Sequence, residues 1–426
     1  LAAILAVSVG GVSLSLAEEE PPPAEDPAYE SIRLLANAMQ LIRQDYVDES
    51  RVDYEALIHS ALRGMLAELD PHSQFLDPDA FRAMQEDTKS EFGGLGIQVG
   101  LRNGALVIVS PMEGTPAFAA GLLPGDRILK INGQTTDRLT LPEAVDLLRG
   151  EVGEKVTLTI QRPPARELQD VVLQRAIIKV RSVREVQLLP APLQAGQKIG
   201  YIRLSQFSEP TAAELAEALD QLEAEGMQGL VLDLRFNPGG LLTSAIDVCA
   251  QFLPAGTEVV FTAGRTPGRA FATSGRNSRD RQFPMVILIN SASASGAEIV
   301  AGALRDLGRA VLVGETTFGK GSVQGVSAMG DGSAIRLTTA TYLTPSQQPI
   351  HEVGVKPHIL SVLTPEQERA LLRRRQLGER TGELPPELVG DSEPGAPALE
   401  TPDPQLERAI QILRGVLLTQ PPQPQA

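Results

Sequence analysis

Four short apolar runs, 199–204, 230–234, 285–289 and 310–313, alternate with helical patterns through the middle of this chain, and no other feature constrains its fold as much. Alternation of this kind argues an α/β core, with helices laid against a sheet. In open α/β sheets the chemistry collects in the strand-to-helix turns. Two of those turns are built from small residues. Ser291-Ala292-Ser293-Ala294-Ser295-Gly296-Ala297-Glu298 follows the third run, and Gly314-Glu315-Thr316-Thr317-Phe318-Gly319-Lys320-Gly321 follows the fourth. Small residues there let a substrate backbone come close.

Ser295 and Lys320 in these turns have the residue types of a nucleophile and its base. A serine hydroxyl attacks only when a nearby base takes its proton, and a lysine is that base only when neutral. Free lysine titrates near 10.4, and bringing it to about 7 to 8 takes burial worth roughly 4 kcal/mol. Lys320 lies between Gly319 and Gly321, beside Phe318, in a turn that can tuck it away from water. Of the four histidines, His59, His72, His351 and His358, none closely follows a strand-to-helix turn with a serine, so a Ser-His-Asp reading has no evident histidine. Each residue taken singly also has a plain reading. Ser295-Gly296-Ala297-Glu298 is an S-x-x-E capping box that would start a helix, and Lys320 alone fits a solvated loop charge.

Together these turns resemble the active-site motifs of the carboxyl-terminal processing proteases, also called tail-specific proteases. The similarity is carried by residues 289–295, 298–304 and 314–324. It extends to Gly64-Met65-Leu66, Leu69-Asp70-Pro71-His72-Ser73, Leu232-Asp233-Leu234-Arg235-Phe236-Asn237-Pro238-Gly239-Gly240 and Thr338-Thr339-Ala340-Thr341-Tyr342-Leu343-Thr344-Pro345, and covers most of residues 28–360. The resemblance implies an α/β multidomain serine-lysine endopeptidase: a crotonase-like protease core, an inserted PDZ-like β-rich domain, N-terminal helices, and no metal or other cofactor. It makes Ser295, three residues before the glutamate, the nucleophile, and Lys320, in the Phe-Gly-Lys-Gly turn, the base. Gln324 matches the family glutamine that helps hold the lysine, a role that suits a neutral amine whose lone pair must point at the serine. The family usually runs Ser-Ala-Ser-Ala-Ser-Glu, whereas Gly296 and Ala297 follow Ser295 here; the backbone N–H of Gly296 still offers one oxyanion donor. The second is expected from Asn237-Pro238-Gly239-Gly240, with Gly239 chosen, although glycine there also suits an ordinary turn.

Upstream, strand patterns at 97–101 and 106–109 are followed by a short helix at 116–121, the turn Pro124-Gly125-Asp126-Arg127, a helix at 142–149 and a strand at 156–161. This order resembles a PDZ domain, as does Gly93-Gly94-Leu95-Gly96-Ile97 before the first strand. In such domains the N–H groups of the turn, here Gly94, Leu95, Gly96 and Ile97, capture a terminal carboxylate while the peptide adds a strand to the sheet. Gly94-Leu95-Gly96 is no dinucleotide loop, since it follows no strand and opens no helix. Arg149, where the 142–149 helix ends, is a candidate link between this module and the core, with a solvated helix-end charge as its plain reading.

The remaining sequence sets the expected layout: an export signal or anchor remnant at 1–17, a Pro- and Glu-rich linker at 18–27, a helical region at 28–89, the PDZ domain at 90–163, protease cap and core at 164–377, a linker at 378–402, and a last helix and tail at 403–426. From the apolar start the protein is expected to work outside the cytoplasm, in the periplasm or cell envelope. Ile32, Leu35, Met39, Ile42 and Tyr46 share one helical face; the face serves a small core or pairs with a second copy, and the resemblance implies a homodimer through this region. Expected partners are protein substrates with apolar C-terminal tails, and an adaptor protein. A net charge of −15 argues against nucleic acid. The single cysteine, Cys249, permits no internal disulfide. Two rival functions stand beside the protease. Gly314 to Lys320 nearly spells a phosphate-binding loop, but Gly321 replaces the hydroxyl residue that would ligate magnesium. A catalytically silent PDZ adaptor would keep the peptide groove, yet would not need Ser295, Lys320 and Gln324 at this spacing.

Overall fold

The computed structural model describes residues 27–102, 104–112, 114–163, 167–190, 196–275, 278–381 and 403–419. The chain divides into two compact units, one ending at Leu69 and one running from Asp70. The export segment 1–17, nearly all of the 18–27 linker and most of the 378–402 linker lie outside the described residues. Among the described residues no helix is long and apolar enough to cross a membrane.

Helices α1 (Pro27–Asp45) and α2 (Tyr54–Ala67) form the described part of the first unit. Asp53 caps α2, its carboxylate accepting from the Glu55 and Ala56 amides at 3.0 and 3.5 Å. Arg43 ties the helices together, donating to the Val52 carbonyl at 3.1 Å while its guanidinium lies 3.8 Å from the Tyr54 ring centre. Ile32, Leu35 and Ile42 on α1, and Tyr46 just past its end, are exposed.

The second unit opens with β1 (Gln74–Leu76) and α3 (Pro78–Lys89). The helical region expected over 28–89 therefore divides, because β1 pairs with a core strand and binds everything past Asp70 to the larger unit. Next come β2 (Glu91–Gly94), β3 (Ile97–Arg102), β4 (Ala105–Pro111), α4 (Pro116–Ala119), β5 (Arg127–Ile131), β6 (Gln134–Thr135), α5 (Leu141–Leu148), β7 (Lys155–Gln161), β8 (Leu168–Gln174) and β9 (Ala176–Lys179). Strands β3-β4-β5-β7-β8 form one sheet in that order, with β6 beside β5. Its core is apolar, with Leu106, Ile108, Ile128, Leu158 and Ile160 buried. The chain enters and leaves this module through the antiparallel pair β2 and β9, Glu91 opposite Lys179 and Gly94 opposite Ala176, as an insertion into another domain should. The sheet runs past the expected boundary at 163: β8 pairs with β7 along seven residues, Lys155 to Gln161 against Gln174 to Leu168. The sequence hid this because β8 is a mostly exposed edge strand with a weak apolar pattern.

The core continues with β10 (Val183–Leu188), β11 (Ile199–Leu204), α6 (Thr211–Ala224), β12 (Gly229–Asp233), α7 (Leu242–Cys249), β13 (Glu258–Gly264), β14 (Ala270–Ala272), β15 (Met285–Ile289), α8 (Gly296–Asp306), β16 (Val311–Gly314), β17 (Ser322–Ala328), β18 (Ala334–Leu343), β19 (Ile359–Leu360), α9 (Pro365–Thr381) and α10 (Pro404–Thr419). Its main sheet has the order β10-β11-β12-β15-β16-β19, parallel from β11 onward. All residues of β12 and β15 are buried, as a parallel sheet covered on both faces requires. Side chains alternate between two cores. Leu230, Leu232, Ile287 and Ile289 pack with α6, α7 and α8, and Cys249 is buried among them. Val231, Val286 and Leu288 face the other way, onto Leu406, Ala409, Ile410 and Leu413 of α10. The last helix is thus part of the core rather than an appendage. A second, antiparallel sheet joins β1, β18, β13 and β14, with β17 on β18.

Candidate active site

Strands β12, β15 and β16 are adjacent and parallel, so the three turns that leave their carboxyl ends gather at one edge of the sheet. These turns hold Asn237 to Gly240, Ser293 to Gly296, and Thr317 to Gly321.

Of the serines after β15, Ser291 is exposed and Ser293 is fully buried. The Ser293 hydroxyl is committed to structure: it accepts from the Asn290 amide at 3.0 Å and donates to the Leu234 carbonyl at 2.8 Å. The same turn is pinned on both sides, by the Ala294 amide to the Asn237 carbonyl at 2.9 Å and by the Phe318 amide to the Ser293 carbonyl at 3.0 Å. Ser295 stands at the mouth, half-buried, with φ 53° and ψ −113°. A non-glycine residue there costs roughly 1–3 kcal/mol and persists only when its surroundings force it. A strained strand-to-helix turn is one way a hydrolase presents a serine hydroxyl.

Glu298 supplies that force. Its buried carboxylate takes hydrogen bonds from the Ser295 and Lys320 amides on Oε2, both at 2.8 Å, and from the Thr317 hydroxyl and Gly319 amide on Oε1 at 2.5 and 2.7 Å. Burial leaves its pKa raised even though these four donors pull it down; a partner set made only of donors is that of an ionised carboxylate. The glutamate half of the capping box is therefore real, but the same carboxylate also fastens the lysine turn to the serine turn. Sequence reasoning saw the cap and missed the strut. A glutamate buried in an otherwise apolar helix face was the available signal.

The glycines of the first turn are required by contact. A Cβ on Gly239, at φ +97°, would stand 2.6 Å from Ser295 Cβ and 2.7 Å from the Gly296 nitrogen. Gly239 thus lies against the serine turn, although its own N–H donates to Asn237 Oδ1 at 2.8 Å. Gly296 is buried at the first position of α8, where helix geometry leaves the N–H without an intrahelical acceptor. Beneath this turn sits a buried charge cluster that the sequence did not announce. Asp233 accepts from Arg235 and Arg375 at 2.6 and 2.7 Å and from the Tyr201 hydroxyl at 2.6 Å, while Arg235 also reaches Asp403 at 2.9 Å. Burial opposes its ionisation, but Arg235 and Arg375 hold the Asp233 carboxyl far below the usual carboxylate range. The cluster anchors the 234–241 loop to α9 and to the start of α10.

Lys320 is half-buried, and burial, with the nearby charge of Arg336, lowers its pKa from the ordinary value. Phe318 is exposed and does not cover it. Gln324, on β17, donates from Nε2 to the Thr338 and Ser322 hydroxyls at 2.9 and 3.2 Å, and its Oε1 is buried without a hydrogen-bond partner. Two histidines come near the lysine turn. The His72 pKa is lowered by burial and then by the Lys320 charge, and the His351 backbone packs against Gly321. The turn is no phosphate loop, for the residues after Gly321 form a strand and no helix N-terminus stands behind them.

In the inserted module, Leu95 is buried in the core and Gly96, at φ +72°, has the Thr115 side chain where a Cβ would stand. Carbonyls of Leu95 and Gly96 accept from the Ala117 and Met112 amides at 3.0 and 2.8 Å. Strand β3, which begins at Ile97, is the free edge of its sheet and α5 packs beside it. The Arg149 guanidinium lies 4.4 Å from the Phe92 ring centre.

Fold and turns together fit a peptidase core with an inserted module, and sequence comparison assigns both parts. Residues 198–361 match Peptidase family S41, and residues 107–162 match the PDZ domain. The chain is 39% identical over 402 residues to a carboxy-terminal-processing protease of Bartonella bacilliformis, covering 92% of this chain and 90% of that one. It is 39% identical over 348 residues to a carboxyl-terminal-processing protease of Synechocystis sp., covering 77% and 80%. A solved S41 protease structure from Bacteroides fragilis shares the fold, with a TM-score of 0.50 at 19% identity, covering 93% of this chain and 99% of that one. The chain belongs to the carboxy-terminal processing proteases, and is a serine-type peptidase carrying a PDZ domain.

Proposed function

We propose that Ser295 and Lys320 form the catalytic dyad of an endopeptidase that cuts proteins near their carboxyl end. The observation that carries this reading is the shared Glu298 oxygen, which bonds both backbone amides and so makes the two turns neighbours. In the reaction, neutral Lys320 takes the Ser295 hydroxyl proton as Oγ attacks the scissile carbonyl. The tetrahedral oxyanion is met by the Gly296 N–H and by that of Gly239, which turns from Asn237 Oδ1 to do so. Lysine then passes its proton to the departing amine, leaving an acyl-enzyme on Ser295, and activates the water that hydrolyses it. Gln324 holds the amine. The core that carries the dyad is read as crotonase-like, with the antiparallel sheet as its cap.

The PDZ module selects the substrate. An apolar C-terminal tail adds a strand along β3, and its carboxylate meets the amides of Gly94, Leu95, Gly96 and Ile97. The exposed apolar face of α1 supports pairing with a second copy. Work in the periplasm or cell envelope, with an adaptor protein to deliver substrate, completes the reading; a silent PDZ adaptor is the alternative. Incubation of an unfolded polypeptide with the purified protein, and with Ser295→Ala and Lys320→Ala, separates the two. Fragments from the wild type alone support the dyad, and fragments from neither support the adaptor.

A further inference from the structure

We infer that Asp70 is a positioning residue of this reaction: through the Thr338 hydroxyl it dictates which end of the Gln324 amide faces the base. The inference rests on the reading above, in which Gln324 serves Lys320. An amide's oxygen and nitrogen are alike in size and opposite in hydrogen-bonding sense, so something must choose between them. Strand pairing sets Gln324 of β17 directly opposite Thr338 of β18. On the far side of Thr338 stands Asp70. Its Oδ1 accepts from the His72 and Ser73 amides at 2.7 and 2.9 Å and from the Thr338 hydroxyl at 3.2 Å, and its Oδ2 accepts from the Ser73 hydroxyl at 2.6 Å.

The direction of each bond then follows from valence. An ionised carboxylate only accepts, so Thr338 must spend its single hydroxyl proton on Asp70. Burial works against the charge, yet the bonds from Ser73, His72 and Thr338 bring this carboxyl down to about 2, so it is ionised wherever the enzyme works. Thr338 has only lone pairs left for Gln324, and a lone pair selects the NH2 end: Nε2 sits 2.9 Å from Thr338 Oγ1. Oε1 is turned the other way, buried and without a partner. A buried acceptor of that kind is unfavourable until a donor arrives, and the lysine N–H groups, at the mouth of the same strand, are the donors it suits. With an N–H held by Oε1, the amine lone pair is left for the serine. The opposite amide orientation would aim an NH2 at the amine and occupy that lone pair. The frame is stiff at the far end too, because the Thr338 amide donates to Ser73 Oγ at 3.1 Å and β1 pairs with β18, Gln74 opposite Arg336.

The test measures kcat and KM on one unfolded polypeptide for Asp70→Ala, Thr338→Val, Thr338→Ser, Gln324→Ala and the double variant Asp70→Ala/Gln324→Ala, with Ser295→Ala alongside. An asparagine that kept an oxygen on the His72 and Ser73 amides would keep the same oxygen on the Thr338 hydroxyl; Asp70→Ala removes it, while Thr338→Val leaves Asp70 untouched. Both should lower kcat about tenfold with KM unchanged, Thr338→Ser should restore it, and Asp70→Ala should cost nothing further once Gln324 is alanine. A full additional loss in the double variant, or wild-type kcat in both Asp70→Ala and Thr338→Val, overturns the inference. Wild-type cleavage by Ser295→Ala overturns the dyad reading and this inference with it, whereas a dead Ser295→Ala beside unaffected Asp70→Ala and Thr338→Val overturns the inference alone.

Discussion

The serine and lysine turns of the core and the Gly94–Ile97 turn of the inserted module are both rich in glycine and both open beside a strand, yet they are fixed by opposite means. Around Ser295 and Lys320 the chain is held by buried polar hubs: Glu298 with four donors, the Ser293 hydroxyl, and the Asp233–Arg235 cluster under Asn237 to Gly240. Around Gly94 to Ile97 the fixing is apolar, through buried Leu95 and the fit of Gly96 against Thr115. Polar hubs have fixed valence and direction, and losing one leaves several partners unpaired in a dry site. Apolar packing forgives changes that conserve volume. On the proposed function, a reaction that tolerates little misplacement sits on the first kind of frame, and a groove that accepts many tails sits on the second.

The largest effect expected is at the proposed dyad. Ser295→Ala and Lys320→Ala should each lower kcat by about 10⁴-fold or more while the protein stays folded, and the double variant should be no worse than either single one. Additive losses would show that the two residues do not act as one unit. Because burial lowers the Lys320 pKa and only its neutral form is a base, kcat/KM should rise with pH through an apparent pKa below the ordinary lysine value. His72, His351, Arg336 and Glu298 all stand near that lysine. Replacing any of the four histidines should leave the rising limb in place; its disappearance in one such variant would transfer the role of base to that histidine.

Glu298→Gln tests the polar frame directly. The amide brings an NH2 group to a place where all four partners are donors, so at least one donor loses its acceptor. The expected cost is about 3 kcal/mol of stability and about 100-fold in kcat, seen by denaturant melts and cleavage rates. An unchanged kcat would mean that the strut is dispensable and the polar frame is not what places the dyad.

What was legible in the sequence follows the same division. The runs at 199–204 and 285–289 match β11 and β15 residue for residue, because fully buried strands leave unbroken apolar stretches. Edge strand β8 could not be assigned to the inserted sheet, being largely exposed. Ser295, Lys320 and Gln324 could be picked out from motif spacing. The parts that hold them could not, since Glu298 reads as a cap, Asp70 as one residue of a motif and Asp403 as the start of the last helix and tail. Each acquires its role only from partners distant in the chain, as Asp70 does from Thr338 and Asp403 from Arg235.

The apolar frame should give a smaller and differently shaped response. Amidating the carboxyl terminus of a substrate tail should reduce kcat/KM about tenfold in the intact protein, and Gly96→Val, which must displace Thr115, should do the same. Leu95→Met, which conserves volume, should leave the rate near wild type. Equal rates on free and amidated tails would remove the carboxylate from the recognition step and leave the module a purely apolar groove.

The smallest effect belongs to Asp70 and reads the polar frame through stability alone. Its native pKa of about 2 lies below the value near 3.9 of an unfolded aspartate, so ionised Asp70 favours the folded state above the unfolded pKa. That contribution is complete above about pH 5, falls as the pH drops below the unfolded value, and is gone once the pH is below the native one. Asp70 is only half-buried, so solvent screening trims the contribution to about 1 kcal/mol. Denaturant melts of wild type and Asp70→Asn at pH 7 and pH 3 should therefore differ by about that amount at the higher pH and converge toward the lower one. A gap that stays constant between them would show that Asp70 acts by shape and hydrogen bonding alone, and that its charge adds nothing to the frame it anchors.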